Sequence, residues 1–457
     1  MSELDKKNMT LIGEGFNMET NGDKQEIWVP DEDMLRHMLV FGTTGVGKTR
    51  FAENLLEQQI IKGHSIMYFD PKGDQDLFTK VYDTARRVNR LGELSVITPI
   101  FPQHSALFDP LSHYHMIDEI VGNIVAGIKE GKDPFFRAVG KEICMAVISA
   151  HMILLRAQGL KPRVNIDQVR QSIRMDALKE LSSALRTIGT AEAEDVAGSL
   201  QDIVNSGADY YNKVCTSLRT VLSDLSFGHI GQIIGKAQTN EFMDKLERDE
   251  RVIMIVQTGS MLTDEAGLTL GRVVLSSIQK FIGRVYMSNR RRLKHTLSIH
   301  IDEIQSLAIA GIEDMFAKVG SANVGLIGYC QALDQLIDTL GEPKAMALAA
   351  NANSKMYLRC TDADTAEYVV KHFGETTRMQ GIYGTDTVST REVQEDVLKT
   401  TDITGLKKQE FYFTSYIGRF RGKTMRSSAA KSEIIFPPTN TIINEMSNNE
   451  GENVLSV

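Results

Sequence analysis

The sequence predicts an α/β protein with a mostly parallel central sheet and an inserted all-α domain. At both ends of the chain, short apolar runs bounded by turn residues alternate with amphipathic stretches of helical length. This pattern is typical of a parallel sheet that helices cover on both faces. From about His113 to Gln238, helical periodicity continues without a convincing strand. Such a run is too long for a crossover connection and indicates an all-helical domain inserted between two strands.

The predicted strands share an apolar core of four to seven residues between turn-forming residues. They are Met38–Phe41, Ser65–Phe69, Leu94–Thr98, Val252–Val256, Leu297–Ile301, Val324–Cys330, Lys355–Leu358 and Glu410–Thr414. The predicted helices between them include Arg50–Lys62 and Glu265–Tyr286.

The composition is that of a soluble globular protein. The 457 residues include 51 Lys and Arg against 59 Asp and Glu, a net charge of −8, with 42% hydrophobic and 24% charged residues. These values exclude a disordered, collagenous or coiled-coil chain, and they exclude a wholly basic nucleic-acid binder. Any contact with nucleic acid is therefore expected to be local, in a groove or pore. The four cysteines are far apart and are interpreted as small buried side chains in a reducing compartment.

The chain shows no pattern typical of export or membrane insertion. It opens with the polar segment MSELDKKNMT, which is unlike a signal peptide. The longest apolar run, Ile143 to Leu155, is too short to cross a hydrocarbon layer of ~30 Å and is interpreted as a buried core helix. We therefore expect a cytoplasmic chain.

The strongest motif lies at the junction of the first predicted strand and helix. Gly42, Gly47, Lys48 and Thr49 satisfy G-x-x-x-x-G-K-[ST] between an apolar strand and an amphipathic helix. Glycines let backbone N–H groups converge on phosphate oxygens, and the following helix directs its positive end at the same anion. A glycine turn that matches by chance is the alternative. The motif predicts nucleotide binding by Gly42, Thr43, Thr44, Gly45, Val46, Gly47, Lys48, Thr49 and Arg50.

A second motif, LSIHIDEIQSL, ends a strand in two acidic residues. Asp302 is expected to hold Mg²⁺ together with the Thr49 hydroxyl, and Glu303 to accept a proton from the attacking water. Strand ends often carry solvated carboxylates, but together with the first motif the pair favours ATP hydrolysis over nucleotide sensing. We expect adjacent strand tips to bring Lys48 and Thr49 beside these acids.

Polar residues also follow two other predicted strands. Gln331 follows the strand VGLIGYC, where it could contact the γ-phosphate or the attacking water, or instead cap the next helix. Asp70, Lys72 and Asp74 form a turn around Pro71 and Gly73, which the bare sequence indicates to be a turn with solvated charges. His37 and His300 lie in strand contexts and are interpreted as structural.

Together these motifs resemble those of the type IV secretion coupling proteins of conjugation (TraG/TraD type), in the FtsK–HerA class of motor ATPases. The similar segments are RHMLVFGTTGVGKT, FDPKGD, SALFDPL at 105–111 with Asp109 where Asn is more usual, the strand into Asp302–Glu303, and the strand ending at Gln331. The resemblance covers most of residues 30–420. It implies a RecA-like P-loop NTPase fold whose ATPase domain consists of 1–112 and 241–438, with the all-α domain at 113–240. The segment 439–457 is polar with little periodicity, so we expect a flexible tail there.

The resemblance also implies a function. It indicates an ATP- and Mg²⁺-dependent motor, with Lys48, Glu303 and Gln331 as catalytic residues, that delivers DNA or protein to a type IV secretion channel. The implied partners are single-stranded DNA with its relaxase, the channel proteins, and further copies of the chain in a homo-hexamer. The implied location is the cytoplasmic face of the bacterial inner membrane.

Two departures from the family pattern bear on this prediction. Coupling proteins usually carry N-terminal transmembrane helices, which this chain lacks, so membrane contact would need a missing anchor or partner proteins. Many relatives have an Arg about eleven residues before the sensor Gln, where this chain has Gly320 and Ser321. The candidates for a cation that reaches a neighbouring subunit's nucleotide, with surface charge as the alternative, are Lys318, Arg359 and Arg378.

Two other functions remain open at the level of sequence. One is a hub that binds ATP to recruit cargo without processive movement, which the acidic net charge and the missing Arg favour. The other is a HerA-like double-stranded DNA translocase outside secretion.

Overall fold

The computed structural model describes residues 6–20, 22–129, 135–383, 388–425 and 430. The strands, numbered along the chain, are β1 (Met9–Asn17), β2 (Gln25–Pro30), β3 (Met38–Phe41), β4 (Ser65–Asp70), β5 (Leu94–Ile97), β6 (Ile253–Gln257), β7 (Leu297–Ile301), β8 (Val324–Cys330), β9 (Ser354–Tyr357), β10 (Glu375–Tyr383), β11 (Val388–Asp396), β12 (Glu410–Ser415) and β13 (Gly418–Thr424). Eleven of them form one sheet in the order β2-β1-β13-β12-β9-β3-β8-β7-β4-β6-β5, and β10 pairs with β11 in a separate hairpin.

The central part of the sheet is parallel, as predicted. The strands from β9 through β3, β8, β7, β4 and β6 to β5 run in the same direction. Six of these strands, namely β3, β4, β6, β7, β8 and β9, are buried along their whole length. Alternate residues of β3 enter two different hydrophobic clusters, one on each face of the sheet. Because both faces are covered, the strands read as continuous apolar runs.

An antiparallel extension of the sheet differs from the sequence prediction. β12 pairs antiparallel with β9, and β13, β1 and β2 follow it in antiparallel order. The prediction located β12 but missed β1, β2, β13 and the β10–β11 hairpin. In β1, β2 and β13 buried and more exposed residues are interspersed. A search for continuous apolar runs overlooks half-buried strands of this kind.

Helices flank the sheet and fill the long segment between β5 and β6. They are α1 (Asp31–Met34), α2 (Lys48–Ile61), α3 (Gln75–Arg87), α4 (Ile117–Val125), α5 (Phe135–Ala157), α6 (Ile166–Ser172), α7 (Met175–Arg186), α8 (Ala191–Asn205), α9 (Ala208–Val214), α10 (Thr216–Ser226), α11 (Gly228–Ile230), α12 (Glu241–Glu247), α13 (Ser260–Met287), α14 (Ile304–Leu307), α15 (Ile312–Lys318), α16 (Leu333–Leu340), α17 (Glu342–Asn351), α18 (Ala363–Phe373) and α19 (Thr400–Thr404). Short 3₁₀ turns lie at Leu91–Glu93, Pro102–His104 and Val319–Ala322, and a π turn at Gly231–Gly235.

The helices α4 to α12 form a helical unit between β5 and β6. The described residues of this segment contain no strand. Residues of the unit and of the sheet share one continuous hydrophobic cluster, so the boundaries 113–240 remain a prediction. The predicted tail, 439–457, lies outside the described residues.

Helix α5 contains the longest apolar run of the sequence. Within the described ranges it is the one helix long and apolar enough to cross a membrane by length and composition, and 50% of its most apolar window is buried inside the protein. Ile143, Cys144, Val147 and Ile148 belong to the shared hydrophobic cluster. The run therefore packs as the predicted core helix.

The helical unit is joined to the sheet through the segment that contains Asp109. The Asp109 carboxylate, 2% exposed, accepts a hydrogen bond from the backbone of Leu111 and pairs with Arg163 Nη2 at 2.8 Å. Asn240 Nδ2 donates to the Asp109 carbonyl at 3.0 Å. Burial raises the pKa of Asp109, and Arg163 opposes that rise. The entry and exit of the unit are thus held together by one buried acid and its partners.

Removal of the Arg163 charge is expected to destabilise this junction. Arg163→Met leaves the buried Asp109 without its cation, which we expect to lower the free energy of unfolding by about 2–3 kcal/mol, since breaking a fully buried pair costs about 3–5 kcal/mol and Arg163 is partly exposed. Urea unfolding measures the change. The double variant with Asp109→Asn should regain most of the lost free energy of unfolding. Arg186→Met, at an exposed position of α7, is the control. A loss below about 0.5 kcal/mol for Arg163→Met contradicts the expectation.

Candidate functional site

The residues of the candidate site meet at the carboxyl edge of four neighbouring strands. The order β3-β8-β7-β4 places the ends of these strands side by side. With strands about 4.8 Å apart, the four ends span about 15 Å. The loop after β3 holds the G-x-x-x-x-G-K-[ST] motif, and Gln331, Asp302 and Asp70 lie at the ends of the other three strands. The sequence analysis predicted that the P-loop and the acidic pair follow adjacent strands. This is wrong, because β8 lies between β3, which precedes the P-loop, and β7, which precedes the acidic pair.

The loop from Gly42 to Gly47 is fixed by neighbouring strand ends. Gly42 N donates to Cys330 O at 3.1 Å, Thr43 N to Arg359 O at 2.9 Å, and Gln409 N to Val46 O at 2.9 Å. Glycine is required at Gly42 because a Cβ there would lie 2.8 Å from Leu358 Cβ. The last glycine, Gly47, has φ +118° and leads into α2, which begins at Lys48.

Lys48 is buried beside this loop. Its side chain is 8% exposed, and Nζ donates to the carbonyls of Gly42 and Thr43. Burial lowers the pKa of Lys48, and the attraction of Asp302 partly offsets that effect. The strand order brings both residues to the same edge of the sheet, and their joint contact with a nucleotide and its metal remains a prediction.

The remaining residues of the motif differ in their surroundings. Thr44 and Gly45 are exposed, while Thr49 is half-buried at the start of α2. Arg50 forms ion pairs with Glu53 at 2.8 Å and Asp76 at 3.0 Å. In this conformation its guanidinium thus holds α2 to α3.

The two acidic residues after β7 have different environments. Asp302 is 6% exposed, and burial raises its pKa while Lys72 and Lys48 oppose the rise. Glu303 is more accessible and has left-handed backbone dihedrals, φ 47° and ψ 51°. Such a conformation costs of order 1 kcal/mol for a residue other than glycine and is concentrated at functional sites.

Gln331 lies next to Glu303. Its Nε2 is 3.4 Å from Glu303 Oε1. The helix that follows, α16, takes Ala332 as its N-terminal cap residue, and Thr365 Oγ1 accepts a hydrogen bond from Leu333 N at 2.9 Å. The alternative in which Gln331 serves as a helix cap is therefore not observed, and its side chain reaches the acidic pair.

The turn after β4 corrects one sequence interpretation. Asp70 is buried and accepts hydrogen bonds from the backbone N–H groups of Lys72, Gly73 and Asp74 at 3.1, 2.9 and 2.5 Å. The Lys72 ammonium lies 3.0 Å from Glu303 Oε1. The interpretation of this turn as solvated charges is wrong, because the parallel pairing of β4 with β7 brings it against the acidic pair. The FDPKGD segment was the signal that could have identified it.

A buried polar layer lies one step below the site. Tyr68, His300 and Tyr329 each precede a site residue by two positions on β4, β7 and β8. His300 Nε2 is 2.7 Å from Gln59 Oε1 on α2, and Nδ1 is 3.0 Å from the Tyr329 hydroxyl. Since an amide oxygen only accepts, Nε2 carries the proton and Nδ1 accepts from the hydroxyl. The structural interpretation of His300 is confirmed, as is that of His37, whose Nδ1 accepts from Leu326 N.

The three candidates for a trans-acting cation occupy different places. Lys318 ends α15 near the amino end of β8, at the edge opposite Gln331, and pairs with Asp314 at 2.9 Å. Arg359 follows β9, and its carbonyl accepts from Thr43, so it lies beside the loop of its own chain. Arg378 lies on β10, with its side chain outside the described part of the structure. A trans role for any of them remains a prediction.

Comparison with known proteins decides the family. The family model described as the type IV secretion-system coupling protein DNA-binding domain matches residues 26–402. The chain belongs to this family. The matched range of this coupling-protein chain contains every residue that the sequence predicts for the site.

Individual relatives agree with the family assignment. The type 4 coupling protein DotL of Legionella pneumophila subsp. pneumophila (strain Philadelphia 1) is 21% identical over 421 residues, which cover 80% of this chain and 53% of DotL. The chain thus spans about half the length of that relative. The plasmid coupling protein TrwB in complex with the GTP analogue GDPNP has a TM-score of 0.69 at 18% identity, with 96% of each chain covered. TrwB in complex with ADP and Mg²⁺ has a TM-score of 0.67 at 19% identity, covering 93% of this chain and 97% of TrwB. These likenesses confirm the predicted fold.

The buried histidine makes stability depend on pH. Burial lowers the pKa of His300 to about 3, whereas an unfolded histidine takes up a proton below pH ~6.5. The contribution of neutral His300 is therefore present above pH ~6.5 and is lost as the pH falls towards about 3. Within this window, each unit by which the pH falls lowers the free energy of unfolding by about 1.4 kcal/mol. From pH 7 to pH 5, the stability advantage of the native chain over His300→Gln should shrink by about 2 kcal/mol.

Urea unfolding at pH 7 and at pH 5 measures this change. His104→Gln, at an exposed position, serves as the control for general effects of pH. An advantage over His300→Gln that is equal at both pH values would contradict a neutral, buried His300.

Proposed function

We propose that this chain is the ATP-hydrolysing motor of a type IV secretion coupling protein. The observation that carries the proposal is the convergence of a buried lysine, a buried aspartate and an accessible glutamate at the carboxyl edge of a parallel sheet. A P-loop NTPase needs this set, because the triphosphate requires a cation and N–H donors, and the water requires a base. Membership of the coupling-protein family supports the same conclusion.

Each residue has a proposed role. The backbone N–H groups between Gly42 and Thr49 bind phosphate oxygens, and Lys48 leaves its loop carbonyls to contact the β- and γ-phosphates. Glu303 accepts the proton of the attacking water, and Gln331, which already contacts Glu303, orients that water.

The donor set also suits magnesium. The Thr49 hydroxyl and the Asp302 carboxylate supply oxygen ligands, which Mg²⁺ prefers. When bound, the metal would neutralise phosphate charge and polarise the γ-phosphoryl group. Asp302 suits this role better than Glu303, since burial and the hydrogen bond from Glu303 N at 3.0 Å fix its carboxylate.

The proposed substrates and partners follow from the family. DotL and TrwB are described as coupling proteins, and the matched family is described as a DNA-binding domain. We propose that the chain moves relaxase-bound single-stranded DNA, or protein, towards the secretion channel at the cytoplasmic face of the inner membrane. A homo-hexamer would provide the positive pore that a chain with a net charge of −8 does not present as a whole.

A cargo-recruiting hub is the second candidate. It is favoured by Gly320 and Ser321 at the position where many relatives carry Arg, and by the pairing of Lys318 with Asp314. A hub would bind ATP without turning it over.

Two variants separate the motor from the hub. Glu303→Gln should keep nucleotide affinity within about twofold but lower ATP turnover by about 100-fold or more, since a general base contributes about 10²–10⁴-fold. Lys48→Ala should lose nucleotide affinity as well as turnover. Phosphate release and the fluorescence of a labelled nucleotide measure the two quantities, each with and without single-stranded DNA.

Each candidate function predicts a different pattern of ATP binding and turnover. Turnover that single-stranded DNA stimulates and that both variants lose supports the motor. Tight ATP binding without turnover supports the hub. Stimulation by double-stranded DNA alone would favour a translocase outside secretion.

A further inference from the structure

Lys72 extends from the turn after β4 to the acidic pair after β7. Its Nζ lies 3.0 Å from Glu303 Oε1 and 3.8 Å from Asp302 Oδ2, and its side chain is 41% exposed. The contact joins residues that are far apart in the sequence and on neighbouring strands. It is therefore a product of the tertiary fold.

The backbone that carries Lys72 is held firmly. Besides the three N–H groups that donate to Asp70, Ser260 N donates to Pro71 O at 2.7 Å, and Ser260 Oγ donates to the same carbonyl at 2.9 Å. Thr258 N donates to Asp70 O at 3.1 Å. The turn is thus tied to β6 and the start of α13, so the base of the Lys72 side chain has a fixed position.

The charges around Lys72 explain why it lies there. Asp302 and Glu303 are consecutive acids, and burial together with the negative charge of Glu303 raises the pKa of Asp302. Burial would lower the pKa of Lys72, but Asp302 and the hydrogen bond to Glu303 outweigh it and raise that pKa. An ammonium between two carboxylates offsets their repulsion, which is strong in a partly buried setting.

Glu303 is held from two sides. Gln331 Nε2 approaches Oε1 from β8 at 3.4 Å, and Lys72 Nζ approaches the same oxygen from β4 at 3.0 Å. Lys72 comes from the side of β7 that faces away from the P-loop. This leaves the second carboxylate oxygen, Oε2, as the one that can accept a proton from water.

We propose that Lys72 is a positioning residue of the nucleotide site, which fixes the Glu303 carboxylate so that one oxygen stays directed at the attacking water. The proposal rests on the proposed ATPase function. Lys72 acts through Glu303 and has no required contact with the nucleotide. Loss of Lys72 should therefore affect the rate of hydrolysis and leave nucleotide binding intact.

Steady-state kinetics test this role. Lys72→Met should lower kcat for ATP by about 10- to 100-fold, while KM and the affinity for a fluorescent nucleotide change by less than twofold; Lys72→Arg should recover most of kcat. Lys62→Met is the matched control, because Lys62 pairs with Asp31 at 2.6 Å beyond the far end of α2. An unchanged kcat in Lys72→Met overturns the proposal. A parallel loss of nucleotide affinity also overturns it, since it would make Lys72 a phosphate-binding cation.

A second measurement does not depend on hydrolysis. In thermal unfolding with EDTA, Lys72→Met should lower the midpoint temperature. Glu303→Gln should lower that temperature less in the Lys72→Met variant than in the native chain, or raise it there. Additive shifts of the two substitutions would overturn the proposal. A native chain that binds ATP without turnover would instead contradict the proposed motor, and the coupling between Lys72 and Glu303 would still be measurable.

Discussion

Compensation of charge at the carboxyl edge of the parallel sheet is the constraint on which the candidate site depends. Lys48 and Asp302 are almost completely buried, so each charge needs compensation. Lys48 donates to two loop carbonyls, and Lys72 lies 3.8 Å from Asp302 Oδ2. Lys72 adds a second ammonium on the far side of the acidic pair. Along the edge formed by β3, β8, β7 and β4, the groups that follow the strands are the Lys48 ammonium, the Gln331 amide, the acidic pair and the Lys72 ammonium. The fold therefore brings the charged groups of the site together at one edge of the sheet.

The charged groups of the site are held in place by buried polar residues of β4, β7 and β8. Tyr68, His300 and Tyr329 each lie two residues before Asp70, Asp302 and Gln331 on the strands that carry the site. Gln59 on α2 joins them through His300. Since α2 also begins at Lys48, the helix of the P-loop and the strand of the acidic pair are tied at two levels. Buried polar networks of this kind specify one arrangement when all their members are satisfied.

The sequence predicted the parts of the site that depend on local pattern. A P-loop needs glycines, a lysine and a following helix in one stretch, and buried parallel strands read as continuous apolar runs, so both were found. Lys72 was missed because its partner Glu303 is distant in sequence, and only the pairing of β4 with β7 reveals the contact. The strands β1, β2 and β13 were missed because their burial is partial. The position of β8 between β3 and β7 is likewise a matter of topology, which local patterns do not encode.

A buried arginine lies between the helix that follows the acidic pair and the helical unit. Arg272 on α13 is 1% exposed; its Nη1 donates to Ser306 O on α14 at 3.3 Å, and its Nη2 donates to Gly127 O, just beyond α4, at 3.1 Å. Because α14 begins directly after Glu303, the segment that carries the acidic pair cannot shift without changing the hydrogen bonds of this guanidinium. A buried guanidinium that loses its partners is costly. Arg272 therefore ties α14, which follows the acidic pair, to the backbone just beyond α4 of the helical unit.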